Sequence, residues 1–354
     1  MAEDVVRYGI IGTGMMGHEH VRNLALLPGA EVVAYSDPSR EQRWWTAQLA
    51  PGAEGFEDHR DLLRKAPVDA VVVASPNYTH EDVLDAVFEH GTPVLCEKPL
   101  CTTVEGAMRV AERVSRHPGL FWVAMEYRYM APIARLVTEV QGGSVGTLHM
   151  LAIREHRYPF LPKPGDWNRF ARNTGGTFVE KCCHFFDLMR LITGSEPVRV
   201  YASAAMDVNH LEEVYDGQRP DILDNGFVTV DFASGSRGLL DLCMFAEASR
   251  NEQEISATGD AGKLECFIPE STLVVGRRSP RRVETERIAV DGDVLAAGAH
   301  HGSTFVEHQE FRRALLSGGP PAVSARDGLV AVAMGAAAER SAVEHRPVEM
   351  AELL

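Results

Sequence analysis

Gly12, Gly14 and Gly17 are spaced as Gly-x-Gly-x-x-Gly directly after the apolar run Tyr8-Gly9-Ile10-Ile11, and Asp37 stands just beyond the next apolar run, residues 31–35. Those residue types at that spacing suit the binding of a dinucleotide. The first glycine allows a tight turn out of a strand, the second lets the backbone approach a pyrophosphate, and the third permits close helix-to-strand packing. The phosphates would rest on the N-terminus of a helix starting near Met15 and Met16, where unpaired N–H groups and the helix dipole favour negative charge. Asp37 would accept hydrogen bonds from ribose hydroxyls, which points to NAD, with NADP left open by Arg40 and Arg43 nearby.

A second chemical feature is Lys98. The β-rich run 93–97, ending in Glu97, leads into Lys98-Pro99 and so sets an ammonium where a nicotinamide would lie. The following proline restricts Lys98 and can hold a cis bond that aims its side chain.

These residues need a scaffold, and the pattern supplies one. Over residues 5–97, β-rich runs (5–11, 31–35, 68–75, 93–97) alternate with helical ones (to about 27, 41–49, 79–90), which predicts right-handed βαβ units and a parallel sheet. Ligands on such a sheet bind beyond the carboxyl ends of its strands. Gly12, Asp37, Ser75-Pro76-Asn77 and Lys98 all fall at those ends. After a helix at 103–115 and a strand at 120–125 the alternation stops, giving a first domain of residues 1–125 and a second of 126–354. In the second, runs at 149–154, 198–203, 225–232, 238–245, 252–258, 262–267 and 272–275 read as a large antiparallel sheet, with residues 276–280 as a surface loop. One helix, 178–192, interrupts the meander, and helices at about 304–316 and 325–343 close the chain. The fold class expected is α/β: an N-terminal Rossmann domain followed by an α+β domain with a large open antiparallel sheet.

Bulk properties narrow the function class. The 354 residues suit two domains, and 45% hydrophobic with 24% charged residues is ordinary for a soluble protein. A formal net charge of −15 disfavours nucleic acid and anionic membrane as partners. With no signal-peptide pattern, no apolar run of membrane-spanning length and six cysteines without a paired framework, the expectation is a cytoplasmic protein with reduced thiols.

The chain resembles the glucose-fructose oxidoreductase and inositol dehydrogenase family, written Gfo/Idh/MocA. The resemblance rests on Gly12-Thr13-Gly14-Met15-Met16-Gly17, Asp37-Pro38, Ser75-Pro76-Asn77 with His80, Glu97-Lys98-Pro99, Arg128 with Pro132, Gly175-Gly176, and His184 with Asp187, in the family's order. It implies hydride transfer between a nicotinamide and a sugar or cyclitol carbinol, and dimers or tetramers packed through the open sheet. It also marks Ser75, Pro76, Asn77, His80, Glu97 and Lys98 as cofactor-binding and Arg128 as substrate-binding.

Glu180, His184 and Asp187 are spaced to share one face of the helix 178–192. The family commonly has Asp where this chain has Glu180. Oxidising an alcohol needs a base for the hydroxyl proton, and His184, with an ordinary pKa of ~6.5, is the natural choice. Lys98 would hydrogen-bond the reacting oxygen, and Glu180 would orient His184. A metal centre built on Glu180, Cys183, His184 and the His300-His301 pair lacks a second ligand cluster, so no metal is expected. The polar loop 154–172, with His156, Tyr158, Trp167, Asn168 and Arg172, would wall the substrate pocket.

The expectation is an NAD(P)-dependent oxidoreductase acting on a small-molecule sugar, cyclitol or polyol, without nucleic acid or membrane. Two alternatives use the same residues: a glycosidase that oxidises through NAD transiently, and a non-catalytic dinucleotide and sugar sensor.

Overall fold

The computed structural model describes residues 5–354; residues 1–4, the start of the expected first domain, lie outside the described residues. Among the described residues the named strands form two sheets. The first contains β1 (Val6–Ile11), β2 (Ala30–Ser36), β3 (Glu54–Phe56), β4 (Ala70–Val73), β5 (Val94–Glu97) and β6 (Phe121–Ala124) in the order β3-β2-β1-β4-β5-β6. Every pair is parallel. That order reverses between β1 and β4, the switch point at which doubly wound sheets bind dinucleotides. β4 reads Ala-Val-Val-Val and β5 Val-Leu-Cys-Glu, each wholly buried, as a parallel sheet covered on both faces requires. The connecting helices are α1 (Met15–Leu26), α2 (Arg40–Leu49), α3 (His59–Lys65), α4 (His80–His90) and α5 (Val104–Val114).

The second sheet is built from β7 (Leu148–His156), β8 (Pro197–Ala205), β9 (Asn225–Phe232), β10 (Arg237–Cys243), β11 (Gln253–Gly259), β12 (Gly262–Ile268), β13 (Thr272–Arg277), β14 (Arg282–Arg287) and β15 (Val348–Glu349). Its order is β14-β13-β12-β11-β7-β10-β9-β8-β15, antiparallel except where β10 pairs with β7. Alternation is plain in β9, where Gly226, Val228 and Val230 are buried while Phe227 and Thr229 are exposed. The remaining helices are α6 (Ala131–Gln141), α7 (Ala171–Thr174), α8 (Thr177–Glu180), α9 (Cys183–Thr193), α10 (Gly292–Ala296), α11 (Ser303–Ser317) and α12 (Ala325–Glu344). Among the described residues no helix is long and apolar enough to cross a membrane.

Packing divides the chain into two units whose boundaries differ from the expected 1–125 and 126–354. The segment through Cys101, Glu105–Tyr129 and Val290–Leu329 form the first; Thr102–Val104, Met130–Ala289 and Val330–Leu354 form the second. The chain's return to the first unit near residue 290 has a specific cause. Buried Glu19 on α1 accepts the Ala299 N–H (3.2 Å) and the Thr304 hydroxyl (3.0 Å) and lies 2.7 Å from His300 Nδ1. Burial works to raise the Glu19 carboxyl, yet these partners hold it down at about 2. Phe311 on α11 then packs against Trp122 and Tyr8, with ring centroids 6.0 and 6.3 Å apart.

Candidate active site

In the first unit the glycines do what their spacing requires. Gly12 leaves β1 at φ +88°, and a Cβ there would lie 2.4 Å from the Ser75 nitrogen; at Gly17 one would lie 2.2 Å from the Gly12 carbonyl oxygen. Both positions are closed to any side chain. Gly14, which caps α1, is the opposite case: a Cβ there would meet nothing within 4 Å. The open space beside the N-terminus of a three-turn helix is where a pyrophosphate could approach, so the residues present fit a dinucleotide. Met15 at the helix start is half exposed.

Asp37 follows the end of β2 and is fixed from two sides, accepting the Thr13 N–H (2.9 Å) and the Ser39 N–H (2.8 Å). Arg43 is committed locally: its Nη1 donates to the carbonyls of Asp37 (2.6 Å) and Pro38 (3.0 Å). Beyond β4, Ser75 and Thr79 share a hydroxyl hydrogen bond of 2.8 Å across a 3₁₀ turn (Asn77–Thr79), with Pro76 capping it and Asn77 buried. His80 is fully buried, its Nδ1 2.9 Å from the Pro99 carbonyl and its Nε2 3.0 Å from the Ser75 carbonyl. Burial holds its pKa below the ordinary imidazole value. Lys98 leaves β5 partly exposed, and the Lys98–Pro99 peptide is cis. Glu97 turns its carboxylate inward, toward the Lys98 N–H (3.0 Å) and His20 (2.9 Å). Arg128 donates to the Ala322 carbonyl (2.7 Å) and lies 3.8 Å from Asp327.

In the second unit, Glu180 and His184 are both buried, as is Asp187. The single helix expected over 178–192 is two: α8 ends at Glu180 and α9 begins at Cys183. The break falls at Lys181, whose ammonium is drawn to Glu155 on β7 (2.8 Å), a buried ion pair that nothing in the sequence pattern announces. Glu180 and His184 therefore do not sit on one regular helical turn. Gly175 and Gly176 supply the positive φ, +83° and +94°, that starts this turn, and the Phe178 N–H is capped by Glu339 (2.8 Å).

The expected loop residues separate. His156 lies on β7, where the covered face is Leu151, Ile153 and Glu155, so it shares the open face with Arg154 and pairs with Asp241 on β10 (3.1 Å). The period of two along the strand turns it away from the face on which Lys181 meets Glu155. Tyr158 is partly exposed beneath the Arg157 guanidinium (4.3 Å), and Trp167 is partly exposed with its carbonyl bonded by Asn173. Arg172 is exposed, stacked on Phe170 (4.0 Å) and bonded to Gln218 (2.9 Å). Buried Asn168 bonds the Leu161 carbonyl at 3.0 Å. The residues that fasten this loop carry no sequence signature: Glu213 lies 3.0 Å from Arg169 and 2.8 Å from both His210 and the Tyr215 hydroxyl. Among the described residues no group of three or more His, Cys, Asp or Glu could hold a metal ion.

Residues 6–125 match the family model described as the oxidoreductase family, NAD-binding Rossmann fold, and residues 138–350 match that of its C-terminal alpha/beta domain. The myo-inositol 2-dehydrogenase of Thermotoga maritima is 30% identical over 355 residues, covering 99% of this chain and 100% of that protein. Inositol 2-dehydrogenase 1 of Saccharopolyspora erythraea is 30% identical over 356 residues, covering 98% and 96%. Among solved structures, a probable dehydrogenase from Thermotoga maritima matches with a TM-score of 0.82 at 28% identity, covering 99% of this chain and 100% of that one.

Proposed function

The chain belongs to the Gfo/Idh/MocA family of NAD-binding oxidoreductases, and on that premise we propose that it oxidises a secondary alcohol of an inositol-like cyclitol. It is an NAD-dependent dehydrogenase of CH–OH groups. The observation that carries the substrate class is the full-length similarity to inositol 2-dehydrogenases. NAD, when bound, supplies the hydride acceptor. Lys98 donates a hydrogen bond to the reacting oxygen and stabilises its developing negative charge, while a ring nitrogen of His184 takes the hydroxyl proton. Glu180 orients that ring. Trp167 and Arg172 contribute to the substrate pocket, and Gly12, Gly14, Met15, Met16 and Gly17 hold the pyrophosphate. The relatives are named as dehydrogenases, which favours net oxidation over glycoside hydrolysis or sensing. Inositols, hexoses and aryl glycosides offered with NAD test the assignment: reduced nicotinamide formed fastest with an inositol supports it, and formation with hexoses alone overturns it.

NAD is expected to be preferred over NADP by tenfold or more, equivalent to ~1.4 kcal/mol. The fixed Asp37 carboxylate repels a 2′-phosphate, and Arg43 is occupied by two carbonyls. Asp37→Ser should narrow the ratio. Equal use of the two cofactors by the unaltered chain refutes this.

The open face of the second sheet is proposed to bind a second copy of the chain. Met150 (61% exposed), Phe227 (58%), Tyr201 and Leu239 stand on it, and two of its charged groups are paired in place, Arg154 with Glu254 and His156 with Asp241. Large apolar side chains grouped on an uncovered sheet face are what a self-association surface would present. Light scattering at micromolar concentration should give a dimer or tetramer, and Phe227→Glu should shift it toward monomer; a monomer at the outset contradicts the proposal.

A further inference from the structure

Lys98 is held on both sides by buried polar side chains. On its N-terminal side its own N–H donates to Glu97 Oε2 (3.0 Å); on its C-terminal side the Pro99 carbonyl is bound by His80 (2.9 Å). Glu97 is the near end of a longer chain. Its Oε1 lies 2.9 Å from His20 Nε2 on α1, and His20 Nδ1 lies 2.9 Å from His308 Nε2 on α11. His20, His80 and His308 are 0% exposed and Glu97 4%. A carboxylate only accepts, so the first proton must sit on His20 Nε2, which fixes the direction of donation at the Glu97 end.

Stability alone is a poor reason to bury such a chain, because well-packed apolar side chains of similar volume do as well or better. We propose that His308, His20 and Glu97 are positioning residues for Lys98, setting the place of its backbone and keeping a fixed negative charge behind its ammonium. The inference rests on the role given to Lys98 above. The charged and titratable groups around Glu97 in this unit are His20 from α1, His80 from α4, Cys96 and Lys98 beside it, Glu126 from the 3₁₀ turn Glu126–Tyr129, His300 from the loop before α11, and Glu307 and His308 from α11. Among Glu97, Glu126 and Glu307, burial pushes Glu126 up to about 7 and Glu307 well above the carboxylate range. Glu97 alone is held below it: burial works to raise it, and His20, Lys98 and His300 more than offset that. His308 is kept neutral by burial, with the charge of His20 acting in the same direction.

The test begins on the cofactor-free protein. The chain has five lysines, Lys65, Lys98, Lys163, Lys181 and Lys263, few enough to resolve by NMR after reductive ¹³C-methylation, with Lys98 identified by its loss in Lys98→Ala. Glu97→Gln keeps an acceptor for the Lys98 N–H but removes the charge, so the Lys98 titration midpoint should fall by about one unit or more. In the loaded enzyme, His308→Leu should cut turnover about tenfold or more with NAD affinity unchanged within about twofold, and His308→Gln should recover much of the loss. An unshifted Lys98 midpoint in folded Glu97→Gln overturns the proposal, as does full turnover in His308→Leu. Should His308→Leu fail to fold, the Lys98 titration decides. If Lys98→Ala itself retains turnover, the reading of the site fails, whereas an inactive Lys98→Ala beside these null results sinks only the positioning network.

Discussion

Alanine at Lys98 or at His184 is expected to lower turnover by ~10²- to 10⁴-fold, the usual cost of losing a general base or an oxyanion donor. Dinucleotide affinity should stay within about threefold, because neither side chain is assigned to the pyrophosphate or the ribose. The fall should appear equally in kcat and in kcat/KM, as for interactions made only in the transition state. Glu180→Gln should cost less, since it removes only the group that orients His184. Isothermal titration with NAD beside steady-state rates separates the two effects. If His184→Ala keeps near-normal turnover with an unchanged pH profile, His184 is a packing residue, and the base must be sought at Lys98 or in the loop 154–172.

The second large effect separates binding from folding at the glycine turn. Gly14→Ala adds a methyl where no atom beyond its own chain neighbours lies within 4 Å, so the melting temperature should hold. That methyl occupies the space through which a pyrophosphate reaches the backbone, and NAD affinity should fall at least tenfold, ~1.4 kcal/mol. Gly17→Ala should lose both, because its Cβ would sit 2.2 Å from the Gly12 carbonyl oxygen, and overpacking of this kind costs about 1–3 kcal/mol. Thermal melts and NADH fluorescence titrations of the pair check this. Gly14→Ala with unaltered NAD affinity contradicts a phosphate at that turn.

The features legible from sequence were those set by local spacing. The glycine turn, Asp37 after β2 and Lys98 after β5 follow from apolar runs punctuated by special residues, and each sits where its run predicts. α11 and α12 lie within about a residue of their expected ends for the same reason. β3 and α3 escaped notice because three- and seven-residue elements carry too little period to read. The break between α8 and α9 has no glycine or proline to mark it; it coincides with Lys181, bound to a glutamate 26 positions earlier, Glu155. β7 continues through His156, two residues beyond the expected strand end, and only the strand's alternation decides which face that residue takes. His20 and His308 stand 288 residues apart, so no spacing rule could join them. The return of Val290–Leu329 to the first unit is equally non-local, fixed by Glu19 and the aromatic contacts of Phe311.

The most direct test is to incubate the purified chain with NAD and myo-inositol, following reduced nicotinamide by absorbance and the carbonyl product by mass spectrometry. The proposed reaction yields one equivalent of NADH for each equivalent of ketone, abolished by Lys98→Ala. Cleavage of an aryl glycoside with no net NADH, or tight NAD binding with no oxidation of any polyol offered, would contradict it.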